Sequence, residues 1–292
     1  MIFRRDKMII QNLIENTQGE NSCTPQHGLS FYIETKNHKI LSDFGPGEDM
    51  LSNAEKLGID LKKVDIAVLS HGHYDHSGGL LSFARLNSDA AIYIHAKADG
   101  AYYSFDGKEK GYRYIGIAPE IMRLEQVRLV SGDFEIDEEV SGFCNLTACM
   151  EKQRSAGKRR SIPATNRYLK VKEGDAYVRD DFSHEQCLVI QEDGKRILIS
   201  GCAHSGILNI LDRYEDIYHG YPDAVISGFH LMKKKDYTDE ECDEIRAIAR
   251  ELTTYPTRFY TCHCTGLAAY DMLKEIMGDQ LSYVHCGDEV IV

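Results

Sequence analysis

Three histidines and one aspartate lie within six consecutive residues, the His-Gly-His-Tyr-Asp-His stretch at positions 71–76. The apolar run at residues 64–69 precedes them and predicts a buried strand, so the four side chains follow the end of a strand. Residues i and i+2 of an extended segment point to the same side, which lets His71 and His73 bind one metal ion together. Asp75 and His76 come at the following turn and would face a second ion.

These ligand types indicate the kind of metal. Imidazole and carboxylate ligands suit zinc, iron or manganese better than calcium or magnesium. The alternative interpretation is a polar surface loop that is merely rich in histidine. A loop does not need four ligand residues at these spacings, whereas a metal site does. The stretch therefore predicts a site for transition metals.

The bulk composition is typical of a soluble globular protein. Of the 292 residues, 42% are hydrophobic and 27% are charged, and no Pro/Ser-rich linker or repeat divides the chain. We therefore expect one domain over residues 1–292. A net charge of -12 disfavours general binding to nucleic acid or anionic membranes, because both carry negative phosphates. The expected partner is a small-molecule substrate, and the oligomeric state is left open.

The cysteines and the apolar runs bear on the compartment. The nine cysteines are an odd set without the spacing of a disulfide framework, which favours a reducing environment. No apolar run is long enough to span a bilayer, and the first residues lack the apolar core of a signal peptide. We therefore expect a cytoplasmic protein.

Hydrophobic periodicity predicts strands and helices along most of the chain. The predicted strands are residues 29–35, 39–43, 64–70, 91–95, 127–130, 186–190, 195–199, 223–227, 257–261, 281–285 and 289–292. The predicted helices are residues 48–58, 78–87, 238–253 and 266–278, the third with a capping box formed by Thr238 and Glu241. Residues 99–182 show only short strand patterns and are predicted to be an insertion or lid.

Further candidate ligands also follow the ends of predicted strands. Cys202 and His204 follow strand 195–199, His230 follows strand 223–227, and His263 follows strand 257–261. These side chains meet residues 71–76 only if the four strands lie side by side and share one end.

Six segments, in this order, carry a resemblance to a known family. They are residues 27–30 (HGLS), 42–45 (SDFG), 69–80 (LSHGHYDHSGGL), 201–207 (GCAHSGI), 228–231 (GFHL) and 263–266 (HCTG). The third is similar to the signature of the metallo-β-lactamase superfamily. Together the six resemble the subfamily of dihydropterin ribofuranosyl-aminobenzene phosphate synthase-like metallo-hydrolases, from about residue 23 to the C-terminus. The resemblance implies a four-layer αββα sandwich, but fold alone does not determine the substrate.

The resemblance also implies how the ligands divide between two divalent ions. One ion is expected on His71, His73 and His204. The other is expected on Asp75, His76 and His263, with the Cys202 thiolate near both ions. Cys202 stands where the superfamily has an Asp or Cys bound to the second metal, and the alternative is a buried, unreactive cysteine. Zinc is the expected metal, with iron, manganese or nickel as alternatives.

His184 competes with His204 for the first ion. It lies 18 residues before Cys202, a separation like that of the third histidine in true metallo-β-lactamases. The subfamily tends to have an acidic residue at that place, and only His204 directly follows a strand. We therefore prefer His204 and keep His184 as the alternative.

Two further residues have predicted roles around the metals. His230 could bind a metal, donate a proton or contact an oxyanion, and we expect a proton donor or substrate contact. Asp43 ends a predicted strand and is a candidate hydrogen-bond partner for a metal-binding imidazole, with a simple turn residue as the alternative.

The insertion contains the strongest basic run of the chain, at residues 152–160. Arg154, Arg159 and Arg160 are candidates to bind a phosphate or carboxylate of the substrate, because a guanidinium forms bidentate contacts with such groups. The alternative is a solvated loop. Residues 166–168 would extend this lid.

The sequence thus predicts a dinuclear metal-dependent hydrolase that acts on an anionic small molecule, such as one bearing a phosphate, through a metal-bound hydroxide. Asp75 would orient the nucleophile, and His230 would protonate the leaving group. The alternatives are a di-iron redox enzyme and a protein that binds metal without hydrolytic activity.

Overall fold

Two seven-stranded sheets lie face to face, with helices on their outer surfaces, in a computed structural model that describes residues 8–144, 160 and 162–292. The first sheet contains, in spatial order, β18 (Glu289–Val290), β1 (Ile9–Ile14), β2 (Ser30–Glu34), β3 (Lys39–Ser42), β4 (Ile66–Val68), β5 (Ala91–His95) and β8 (Val127–Val130). Helices α1 (Asp49–Lys56) and α3 (Leu80–Leu86) cover its outer face, where Met50 and Phe83 are fully buried with Ile92.

The second sheet carries the other pair of layers. Its strands, in spatial order, are β17 (Leu281–Tyr283), β16 (Arg258–Thr261), β15 (Ala224–Ser227), β14 (Lys195–Ser200), β13 (Cys187–Glu192), β10 (Val140–Phe143) and β9 (Phe134–Glu135). Helices α4 (Ile207–Tyr218), α5 (Asp239–Leu252) and α6 (Leu267–Met277) pack on its outer face. The fold is therefore the predicted αββα sandwich.

Strand β14 shows why these residues form a sheet buried on both faces. Leu198 packs with the helices, while Ile197 and Ile199 pack between the two sheets. Successive side chains of a strand point to opposite faces, so a continuous apolar run is needed when both faces are covered. Each such side chain contributes about 1.5–3 kcal/mol when it is fully buried.

The predicted elements occur close to their predicted bounds. Helix α5 begins after Thr238, whose hydroxyl accepts from the Glu241 backbone while the Glu241 side chain accepts from the Thr238 backbone, so the capping box is confirmed. The predicted helix 78–87 corresponds to α3, and a short additional helix, α2 (Tyr74–Ser77), precedes it with Gly78 and Gly79 between the two. Helix α4 is an addition that the sequence analysis does not contain.

Residues 99–182 do not form one insertion. Four strands of this range, β12 (Ala176–Arg179), β11 (Leu169–Glu173), β6 (Tyr102–Phe105) and β7 (Tyr112–Tyr114), form a separate small sheet. In contrast, β8 extends the first large sheet, and β9 and β10 extend the second. The prediction of a continuous insertion is corrected in this respect, because edge strands this short have weak hydrophobic patterns and gain their partners only in the folded sheet.

The strand directions bring the candidate ligands together. Strands β14, β15 and β16 run parallel in the second sheet, as do β3, β4 and β5 in the first. The carboxyl ends of parallel neighbours meet at one edge of a sheet, and the chain segments after these strands contain the candidate ligands. No helix within the described part of the chain is long and apolar enough to cross a membrane, and the eight described cysteines are free thiols.

Candidate metal centre

Asp43 orients two of the predicted ligands with one carboxylate. It follows β3 in a left-handed backbone conformation (φ 60°), and its Oδ2 accepts hydrogen bonds from His76 Nδ1 at 2.7 Å and Ser70 Oγ at 2.8 Å. Ser70 Oγ lies 2.8 Å from His71 Nδ1 and accepts its proton in turn. Because these Nδ1 atoms are engaged, the Nε2 atoms of His71 and His76 remain for a metal ion. The predicted contact between Asp43 and an imidazole is confirmed.

Two asparagines act in the same way on histidines of the second sheet. Asn166 Oδ1 lies 3.2 Å from His204 Nδ1, and Asn166 Nδ2 donates to the His204 carbonyl at 2.6 Å. Asn16 Oδ1 lies 2.9 Å from His263 Nδ1, and Asn16 Nδ2 donates to the His263 carbonyl at 3.1 Å. Four imidazoles from the two sheets therefore keep Nε2 free of these contacts.

His71 Nε2 and His204 Nε2 are 3.3 Å apart. With the protons on Nδ1, two lone pairs face each other, which is unfavourable unless a cation lies between them. Two nitrogen ligands of a tetrahedral zinc ion, each about 2.0–2.1 Å from it, are about 3.3–3.4 Å apart. The ligand atoms of His71, Cys202 and His204 all lie within 4.8 Å of one another, and we call these three residues the first ligand group.

A second ligand group consists of His76, Cys202 and His263, whose ligand atoms also lie within 4.8 Å of one another. His76 Nε2 is 3.2 Å from Cys202 Sγ, and Asp75 Oδ2 is 3.5 Å from His263 Nε2. Cys202 belongs to both groups, which is the position the sequence analysis predicts for it. The structure thus brings together the residues predicted for each ion, except that the ligand nitrogen of His73 does not group with those of His71 and His204.

His73 lies between two sets of partners. Its ring centroid is 4.6 Å from that of His71 and 5.0 Å from that of His204, but its ligand nitrogen groups with Asp180 and His184. His73 Nε2 is buried and has no hydrogen-bond partner among the residues that the structure describes. A buried polar atom without a partner is costly, which makes His73 a fitting ligand for a cation.

The geometry distinguishes His204 from His184. His184 Nδ1 accepts a hydrogen bond from the Gly72 backbone at 2.9 Å, and its Nε2 lies 3.2 Å from Asp180 Oδ2. Both nitrogens of His184 therefore have protein partners, whereas Nε2 of His204 faces only His71. The acidic residue next to His184, Glu185, accepts from the backbone N–H groups of His204 and Ser205 and so supports the His204 loop. These contacts favour His204, and its role as a ligand stays a prediction.

The two ligand groups differ in their electrostatics. Burial and the neighbouring histidines lower the pKa of His71 and of His204 well below the usual value, so both are neutral. Burial also lowers the pKa of His76, but the carboxylates of Asp43 and Asp75 outweigh it and raise that pKa to about 9. Burial would raise the pKa of Asp75, yet the charge of His76 and the contact with His263 hold it well below its usual range.

The donor set fits two divalent metal ions. Among the described residues, the buried Nε2 atoms of His73 and His263 have no hydrogen-bond partner and those of His71 and His204 face each other, an arrangement that nearby cations would satisfy. Nitrogen donors with one shared sulfur are the ligands that zinc prefers, and the sulfur disfavours calcium and magnesium.

The predicted anion-binding arginines are not brought to this centre. Arg154 and Arg159 lie outside the described residues. Arg160 pairs with Asp212 at 2.8 Å and with Glu251, on α4 and α5. A guanidinium held by two carboxylates is not available for a substrate anion, so the prediction for Arg160 is corrected. Residues 162–168 do reach the site, because Asn166 contacts His204 and Thr165 Oγ1 donates to the His230 carbonyl at 2.6 Å.

His230 lies at the edge of the centre, with its ring centroid 4.1 Å from that of His204. Its backbone is left-handed (φ 49°), a costly conformation for a residue with a Cβ that is often found at functional sites. His230 is thus close to the ligand groups as predicted, and its role as a proton donor stays a prediction.

Several residues of the site are not predicted by the sequence analysis. Asn16 and Asn166 orient imidazoles, and Glu15 accepts from the His263 backbone N–H at 2.8 Å and from the Tyr283 hydroxyl at 2.7 Å. The thiol of Cys264 lies within 4.8 Å of the potential ligand atoms of Cys202 and His230. The asparagines and Glu15 gave no signal because they stand alone in sequence. The position of Cys264 next to His263 was a signal that the sequence analysis did not use.

Comparison with known proteins agrees with this fold, which is that of the metallo-β-lactamases. The family model of the metallo-beta-lactamase superfamily matches residues 23–145. A solved structure described as Tm1679, a metal-dependent hydrolase of the beta-lactamase superfamily, matches with a TM-score of 0.78 and 27% identity over 98% of this chain and 99% of that chain. This chain has the metallo-β-lactamase fold and is similar to members of that superfamily.

Two relatives from Methanocaldococcus jannaschii match over nearly their whole length. An uncharacterised protein is 29% identical over 96% of this chain and 98% of its own length. The protein named 7,8-dihydropterin-6-methyl-4-(beta-D-ribofuranosyl)-aminobenzene-5'-phosphate synthase is 27% identical over 98% of this chain and 97% of its own length. This chain is therefore similar to the subfamily that its sequence motifs indicate.

Proposed function

We propose that this protein is a dinuclear metal-dependent hydrolase that acts on an anionic small molecule. The observation that carries this proposal is the pair of ligand groups joined at Cys202. The first group offers two facing imidazole nitrogens 3.3 Å apart, and the second offers His76 and His263 beside the Asp75 carboxylate. The five residues of the two groups, together with Asp75, are more ligands than one tetrahedral ion uses.

When bound, two such ions supply Lewis-acid activation of water and of the bond to be cleaved. The surrounding residues would orient the reacting groups and provide a low local dielectric. The histidines of both groups are almost completely buried, so bulk water is excluded and electrostatic interactions are strong. Asp75 lies between His263 and His27, whose Nε2 is 3.7 Å away, and its ionised carboxylate can orient a nucleophile.

The preference for an anionic substrate rests on cations other than the predicted arginines. Lys234 and Lys235 lie in the loop that follows His230. Two other nearby cations are already paired, Arg113 with Asp106 at 2.7 Å and Lys233 with Glu241, so the preference rests on Lys234 and Lys235. The name of the M. jannaschii synthase contains a phosphate, which agrees with this substrate class.

The donor chemistry favours hydrolysis over di-iron redox chemistry. Within the described groups the shared ligand is a thiol, and carboxylates are few. A nitrogen- and sulfur-rich set is typical of zinc, whereas oxygen-activating iron sites keep more carboxylate ligands and open positions. The remaining alternative is a protein that binds metal without hydrolysing a substrate, and the experiment is designed to distinguish it from a hydrolase.

The experiment combines metal analysis with a hydrolysis screen. The protein is purified without chelator and with metal supplied, then tested on phosphodiester and lactone substrates. We expect about two ions per chain and hydrolysis that is lost with a chelator and restored by zinc. One ion or fewer per chain would contradict the dinuclear centre, and full metal loading without hydrolysis of any substrate would leave only a binding protein.

A matched pair of variants tests the substrate class. Lys234→Ala should raise KM for an anionic substrate several-fold while leaving a neutral ester nearly unchanged, because a rim cation acts mainly through substrate attraction. Lys62→Ala is the control, because Lys62 precedes β4 whereas residues 71–76 follow the other end of that strand. Equal effects of Lys234→Ala on both substrates would contradict the anionic preference.

A further inference from the structure

A third set of potential ligands lies next to the two ligand groups. It consists of Cys202, His230 and Cys264, whose ligand atoms lie within 4.8 Å of one another. We call these three residues the sulfur cluster. Two donors of one zinc ion, each about 2.0–2.3 Å from it, cannot be more than about 4.6 Å apart, so this spacing is close to what a single ion needs.

Gly228 makes room for the thiol of Cys264. A Cβ added at Gly228 would lie 2.4 Å from Cys264 Sγ, which is well inside contact distance. Gly228 has an ordinary backbone φ, so space and not conformation demands a glycine here. The backbone N–H of Gly228 is held by the Gly201 carbonyl at 2.8 Å, which keeps the strand close to the thiol. A side chain at position 228 would therefore overlap the Cys264 sulfur, so only glycine fits there.

The surroundings of Cys264 differ from those of the neighbouring Cys262. Cys262 is fully buried in the apolar layer between the sheets. Cys264 Sγ instead accepts from the His230 backbone N–H at 3.3 Å and lies 3.6 Å from the Cys202 carbonyl. The two cysteines that flank His263 thus point to different environments, and only Cys264 faces polar groups of the metal centre.

His230 provides the third donor. Thr165 Oγ1 holds its carbonyl at 2.6 Å, and its left-handed backbone directs the ring toward His204. The Nδ1 atom of His230 is buried and has no hydrogen-bond partner within the described ranges of the chain. Buried polar atoms normally have a partner, so this nitrogen is available for a cation.

We propose that Cys202, His230 and Cys264 bind a thiophilic divalent cation such as Zn²⁺ or Cd²⁺ at the sulfur-rich side of the metal centre. Two thiolates and one imidazole are the ligands that zinc and softer ions prefer. The proposal shares Cys202 with the proposed hydrolytic centre but does not require hydrolysis. A metal-bound nitrogen has no lone pair for a proton, so this role and the proton transfer predicted for His230 need different ring nitrogens.

The test uses cadmium with metal-free full-length protein, because each cadmium–thiolate bond contributes its own charge-transfer absorption. Cys264→Ser should lower the saturating absorption per chain by the contribution of one cadmium–thiolate bond, since the Cys264 thiolate is lost while the bonds of Cys202 remain. The control Cys262→Ala, at the other side of His263, should leave the absorption unchanged. Equal absorption in Cys264→Ser, Cys262→Ala and wild type would overturn the proposal.

Cadmium NMR of the wild-type protein is the second measurement and does not depend on whether Cys264→Ser folds. The proposal predicts one resonance shifted in the direction of two sulfur ligands. Resonances that all correspond to one sulfur or none would overturn it. Because neither readout involves turnover, a protein that fails every hydrolysis assay can still show two sulfur ligands, and an active hydrolase can still show one.

Discussion

The first and second ligand groups share Cys202 but prepare for a cation in different ways. The histidines of the first group, His71 and His204, are neutral, because burial and neighbouring imidazoles lower each pKa. In the second group, the Asp43 and Asp75 carboxylates raise the pKa of His76 to about 9, so that this imidazole is protonated at neutral pH in the metal-free protein. A metal must therefore displace a histidine proton in the second group but not in the first.

The difference indicates two strategies for a buried cation site. Neutral imidazoles with lowered pKa are ready ligands, and their crowding is relieved only by a cation. The second group instead keeps negative charge close by, which attracts a second cation after the first is bound. The carboxylate of Asp43 reaches both groups, since it accepts from Ser70 next to His71 and from His76 itself.

The largest expected effect comes from removing one ligand of each group. His204→Ala and His263→Ala should each lose one ion per chain and more than about 100-fold of the hydrolytic rate, because loss of a ligand exceeds the 10- to 100-fold typical of outer partners. Elemental analysis and rate measurements check this. Circular dichroism should show folded protein in both cases, since the apolar layers do not depend on the metals.

His184→Ala is the matched control for His204→Ala. Both nitrogens of His184 have protein partners in the structure, so its substitution should leave two ions bound. If His184→Ala loses an ion while His204→Ala keeps both, the first ligand group as described here is wrong.

The pH dependence of the metal-free protein should show the contrast directly. The pKa of His76 is raised from 6.5 to about 9, so its contribution to stability is complete below 6.5 and is lost as the pH rises through 9. This amounts to at most about 3 kcal/mol of the free energy of unfolding. The pKa of His73 is lowered to about 3 by burial and by His184, so stability is lost as the pH falls below 6.5.

Urea unfolding of metal-free wild type and His76→Gln between about pH 6 and pH 9 tests the alkaline part. The wild type should lose stability over this range, and the variant should lose less. Parallel curves for the two proteins would show that His76 is not protonated in the metal-free fold.

The smallest expected effect is in the asparagines that orient one histidine of each group. Asn166→Ala should weaken metal binding to the first group, and Asn16→Ala should weaken binding to the second, each by about 10- to 100-fold. Competition with a chelator, followed ion by ion, measures both affinities. Loss of the same ion in both variants would contradict the assignment of one asparagine to each group.

The sequence predicted most of the fold because its strands have strong patterns. Helix α5 was placed within one residue at each end by its capping box and amphipathic pattern. Helix α4 was not predicted, although Ile207, Leu211 and Tyr214 have helical spacing. It begins at the last residue of the 201–207 motif. Residues 99–182 were misjudged as one unit because their short strands are recruited by three different sheets.

The contrast between near and distant partners explains the errors at the site. Residues 71–76 are recognisable as a candidate metal site from the sequence alone, because four potential ligand residues within six positions leave few other interpretations. The partners of Arg160, Asp212 and Glu251, lie on two helices and could not be read from the basic run. The contacts of Cys264 with Cys202 and His230 likewise exist only because β14, β15 and β16 are parallel neighbours.

The sequence by itself predicted a cluster of candidate metal ligands after a buried strand and further candidates at other strand ends, and its motifs resembled a family with an αββα fold. Ligand types and strand patterns are local properties, so they are visible without a structure. Only the tertiary structure decided which histidines face each other, which nitrogen each one offers and which carboxylates raise the pKa of His76. These depend on distances of a few ångströms between segments far apart in the chain, which packing and parallel strand pairing set.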